Sequence, residues 1–89
     1  MVAIVGYLAI RSRDRELTAD PATYEAMTRT FYRALAHLDV GLLDNARQEF
    51  TRATELVPEE PAAWANLSLA QVRLGEFDNA LKSAARAAE

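Results

Sequence analysis

The sequence predicts an all-α fold of antiparallel helix hairpins repeated along the chain, and three observations carry that prediction. From residue 20 onward, apolar residues recur at steps of three and four, the spacing that gathers side chains on one helix face. Over the same stretch glycine and proline fall only at the edges of these runs, where helices begin and stop. Finally, Gly41-Leu42-Leu43-Asp44-Asn45-Ala46 returns as Gly75-Glu76-Phe77-Asp78-Asn79-Ala80, 34 positions later.

Residues 1–19 form a separate unit. Met1 to Ile10 has no charged residue and is followed at once by Arg11, Ser12, Arg13, Asp14 and Arg15. Ten apolar residues are too few for a spanning helix, which needs about 20, and no charged stretch precedes them as in a secretory signal. The run resembles the second half of a membrane helix with arginines where it meets water. The other reading is a strand or helix packed on the domain. Both stay open, so the compartment is left between cytoplasmic and membrane-associated.

Residues 20–89 read as two hairpins, about 20–58 and 61–89. Asp20-Pro21 sets a capping carboxylate before a proline suited to the first helical position. Tyr24, Met27, Phe31, Leu35 and Leu38 then share a face, and Gly41 stops the helix. Leu43, Ala46, Phe50, Ala53 and Leu56 give a second helix over about 43–56. It closes at Val57-Pro58, because proline disfavours helical geometry in the residue before it. Pro61 opens a third helix carrying Trp64, Leu67, Ser68 and Val72, Gly75 ends it, and a fourth starts near Phe77.

Composition narrows the function classes. Of 89 residues, 51% are hydrophobic and 26% charged, which is ordinary for a folded domain. Ten basic against thirteen acidic residues give a net charge of −3, without the basic excess that neutralises phosphates, so nucleic acid is not an expected partner. With no cysteine, thiolate chemistry, disulfides and Cys-type zinc sites are excluded. The lone imidazole, His37, lacks neighbours at ligand or triad spacing. No metal, cofactor or catalytic residue is expected. Asp44 and Asp78 are expected before the second helix of each hairpin, where a carboxylate favours the positive helix end. Glu55, Glu59 and Glu60 read as a solvated acidic face around Pro58.

The repeat register extends beyond the glycine segment, since Leu35 matches Leu69, Ala36 matches Ala70, and Arg52-Ala53 matches Arg86-Ala87. With Pro61 counted as the first position, Trp64, Leu67, Ser68, Gly75, Phe77, Ala80 and Ala87 fall where the tetratricopeptide repeat (TPR) family has Trp, Leu, small, Gly, aromatic, Ala and Ala. The chain resembles that family over 27–89. The first unit matches at Ala34, Gly41, Ala46, Phe50, Ala53 and Pro58, but has Thr30 and Arg33 in the Trp and Leu places, with Phe31 one residue late. A weaker resemblance, in Phe31 to Leu35 and Ala53 to Leu67, is to repeats that precede FG-GAP and UnbV-type regions in exported bacterial proteins.

The TPR resemblance implies an α–α superhelix and a non-catalytic module whose inner surface holds a peptide or partner helix. In this register the groove candidates are Phe31, Tyr32, Leu35 and Leu38 from the first unit and Asn66, Leu69 and Arg73 from the second. For the apolar members, the structural alternative is packed core. Trp64 is expected to lock the two units together with Phe50, Ala53 and Leu67. Leu81, Ala84, Ala85 and Ala88 would face nothing within two repeats, so either the protein continues past Glu89 or a second chain covers them, and the isolated chain is expected to self-associate through these residues or the first ten. The alternative function is a spacer or anchor segment of a larger membrane-associated or exported protein.

Overall fold

A computed structural model describes residues 19–89, and among these the regular secondary structure is all helical. The element order is α1 (Pro21–Asp39), α2 (Leu43–Leu56), α3 (Pro61–Arg73) and α4 (Phe77–Ala88). The expectations for residues 1–10, membrane remnant or packed segment, lie outside the described residues. None of the described helices is long and apolar enough to cross a membrane.

Local chemistry sets each boundary. Asp20 caps α1, its Oδ1 accepting the Thr23 backbone N–H at 2.7 Å, and Pro21 supplies the first turn without needing a donor. The break after α1 is a left-handed glycine, Gly41, at φ +81°. Its N–H bonds Leu38 O at 3.1 Å, and the Leu42 N–H reaches back to His37 O at 2.9 Å, satisfying carbonyls the helix leaves open. The break after α3 repeats this at every bond: Gly75 has φ +81°, its N–H bonds Val72 O at 3.0 Å, and Glu76 N–H bonds Gln71 O at 2.8 Å. Between the hairpins the chain extends at Val57 and re-enters a helix at Pro61. Asp44 and Asp78 lie inside the first turns of α2 and α4, not before them as the sequence suggested. The residues in front, Leu42 and Glu76, make no side-chain cap bond.

Consecutive helices pack on one another, α1 with α2, α2 with α3, and α3 with α4. One apolar cluster joins Met27, Phe31, Ala34, Leu35 and Leu38 of α1 to Ala46, Phe50 and Ala53 of α2. It continues through Val57 to Ala62, Ala63, Leu67 and Ala70 of α3. Phe31 and Phe50 meet edge-on, with centroids 5.6 Å apart. Ala62, Ala63 and Ala70 of α3 are buried in the same cluster, placing small side chains where the second hairpin meets the first. Helix α4 packs on α3 but adds only Ala80 and Ser83 to the buried set.

Of the expected seam, Phe50, Ala53 and Leu67 lie in the core cluster, and Trp64 packs against it half-buried, its Nε1 donating to Pro58 O at 2.9 Å with Arg86 4.7 Å above its ring. Phe50, with no exposed surface, holds the centre. One expectation is corrected: Glu60 is not part of a solvated face. It is buried at the start of α3, where its Oε1 accepts the Tyr24 hydroxyl at 3.4 Å.

Candidate binding surface

The structure divides the seven groove candidates. Phe31, Leu35 and Leu38 are buried in the core cluster, so this correction removes them from any surface open to a partner. Their stripe lies on the side of α1 that carries the joint core with α2 and α3, and a helix-spaced apolar stripe looks the same whether it packs inward or lines a groove. Asn66 is buried too. Its Nδ2 donates to Ala62 O at 2.9 Å, a back-bond within its own helix that leaves it unsuited to gripping a ligand. Tyr32 is half-buried against the cluster.

Leu69 and Arg73 stay exposed, four positions apart and hence on one face of α3, with Val72 beside them. Val72 lies on the inner face that the repeat register predicts, and it is 47% exposed. The face can therefore offer apolar contact from two side chains and a guanidinium at its C-terminal edge. Elsewhere, an open cleft is lined by Pro58, Glu59, Pro61, Arg86 and Glu89. Among the described residues, no three or more His, Cys, Asp or Glu side chains are grouped so as to hold a metal ion.

Polar pairs tie the helices around this surface. His37 Nδ1 donates to Glu49 Oε1 at 2.5 Å across the first hairpin, because a carboxylate can only accept. Arg33 pairs with the other oxygen of Glu49. In the second hairpin Ser83 Oγ donates to Gln71 Oε1 at 2.8 Å. Residues 71 and 83 are the 34-residue equivalents of 37 and 49, so one polar pair recurs in both hairpins with different chemistry. Sequence reading missed it, though aligning polar positions at the repeat offset would have found it. Between hairpins, Arg47 Nη1 bonds Glu76 Oε2 at 2.6 Å. The Asp20 carboxyl is held below its usual 3.8, first by the backbone N–H of Thr23.

Comparison of the chain with protein-family models, with curated proteins and with solved structures gives no match.

Proposed function

We propose that this chain is a non-catalytic protein-binding module, two TPR-like repeats stacked as the start of an α–α superhelix. It would hold a peptide or partner helix along the exposed face of α3. The observation that carries this reading is that Leu69 and Val72 are 40% and 47% exposed beside Arg73, although the α3 backbone is anchored firmly in the core. A rigid helix presenting apolar side chains next to one charge suits recognition of a short amphipathic segment. The guanidinium favours a carboxylate on that segment, which would set its direction more than its affinity. The shared glycine turns and shared cross-hairpin pair support the repeat reading.

Panning a random peptide library on the 89-residue chain tests the proposal. Enriched sequences should carry apolar residues near an Asp or Glu, and should lose binding to Leu69→Glu and to Arg73→Glu while both variants keep their helicity. Peptides that bind wild type and both variants equally would place recognition on another surface.

A further inference from the structure

Among the described residues, no helix covers the apolar stripe on the outer face of α4. Phe77, Leu81, Ala84, Ala85 and Ala88 follow at helical spacing and all are exposed, Phe77 by 63% and Leu81 by 71%. At the 34-residue offset, Ala84 and Ala88 correspond to Phe50 and Thr54 of α2, which are both buried. A face of this kind on a small domain marks an interaction site.

We propose that a second copy of this chain covers the stripe, with the two α4 helices antiparallel about a two-fold axis near Leu81. Three observations select this occupant and orientation. First, α1 cannot play for another copy the part that α3 plays for α2. The positions of α3 that enter the core as Ala63 and Leu67 are Arg29 and Arg33 on α1, both exposed, so stacking front to back would bury guanidinium groups. Second, the stripe is large at its start, with Phe77 and Leu81, and small at its end, with Ala84, Ala85 and Ala88. With the axis near Leu81, antiparallel pairing sets Phe77 against Ala85 of the other copy, whereas parallel pairing sets ring against ring. Third, charge along the helix is asymmetric: Asp78 lies in the first turn and Lys82 one turn on, while Arg86 is taken up by the Trp64 ring and Glu89. Antiparallel pairing brings each Asp78 toward Lys82 of the other copy, and opposes the helix dipoles as well. The contact is self-complementary, so it closes at two. Twelve residues make a helix of about 18 Å, which keeps the buried area below the ~1,200 Å² of stable complexes and makes the dimer weak.

Analytical ultracentrifugation of the full chain from about 10 μM to about 1 mM, a range that suits weak association, should show the mass rising from 9.9 kDa toward twice that value. Leu81→Glu should abolish the rise at unchanged helicity. Because the chain has no cysteine, Leu81→Cys gives a register test, with Val40→Cys as its control. Both parent side chains are 71% exposed, yet under mild oxidation only Leu81→Cys should form a disulfide dimer quickly. A monomer throughout the range, growth beyond two copies, an unaffected Leu81→Glu dimer, or equal cross-linking at both positions would each overturn the proposal. The groove reading does not depend on it.

Discussion

Phe50 has no exposed surface and meets Phe31 edge-on, whereas Trp64 leaves part of its ring in water beneath Arg86. Removing a fully enclosed ring loses its transfer energy and leaves a cavity, so Phe50→Ala should cost about 3–5 kcal/mol. Trp64→Ala should cost only about 1–3 kcal/mol, because less area returns to water. Urea midpoints read by circular dichroism should therefore fall further for Phe50→Ala. A larger drop for Trp64→Ala would return the centre of the seam to the tryptophan. Asp20 adds a pH dependence. Its folded carboxyl titrates below 3.8 because the charged form accepts the Thr23 N–H. The cap's contribution is complete above the unfolded value and is lost as pH falls through the lower folded one. Asp20→Asn keeps an acceptor oxygen without titrating, so its stability should fall less than wild type between about pH 5 and about pH 2. Parallel acid profiles would assign the loss to other carboxylates.

Each hairpin is closed by a glycine at φ +81°, and a Cβ built on Gly41 or Gly75 meets no atom within 4 Å. Only the backbone conformation resists substitution there. Gly41→Ala and Gly75→Ala should each cost about 1–2 kcal/mol, with Asn cheaper than Ala at both positions. Equal costs for Asn and Ala in thermal melts would mean that the left-handed turn is not retained. Inside the second hairpin, Ser83→Ala strands the buried Gln71 oxygen and should cost about 1–3 kcal/mol. Adding Gln71→Leu removes that polar group, so the double variant should lose less than the two single changes summed. Strict additivity would show that the pair is not coupled.

At the scale of the whole molecule, stability is unevenly spread. Helices α1, α2 and α3 share one cluster, but α4 contributes Ala80 and Ser83 alone to the buried residues. Hydrogen exchange should find α4 amides opening well before those of α1 to α3, and uniform protection would refute that gradient. The four helices were legible because Pro21, Gly41, Pro58, Pro61 and Gly75 punctuate them, and backbone sterics act locally. Of the seven groove candidates, only Leu69 and Arg73 are exposed. Phe31, Leu35 and Leu38 carry the same periodic signal as a groove would, and only the packing of α1 against its neighbours decides that they are core. Asn66 was misread for a related reason, since a polar side chain on a helix can be consumed by the carbonyl one turn back.

The unlike polar pairs of the two hairpins bear on how the chain avoids tangling. Duplicated hairpins with similar apolar faces can exchange second helices while they assemble, within one chain or between two. An exchange here would set His37 opposite Ser83 and Gln71 opposite Glu49, in place of the native pairs. The swapped Gln71–Glu49 contact would draw a carboxylate into a site that natively encloses a serine hydroxyl, and Arg33 would lose its counter-ion. The two unlike pairs would thus disfavour an exchange of second helices through the lost Arg33–Glu49 pair and the carboxylate drawn toward Gln71.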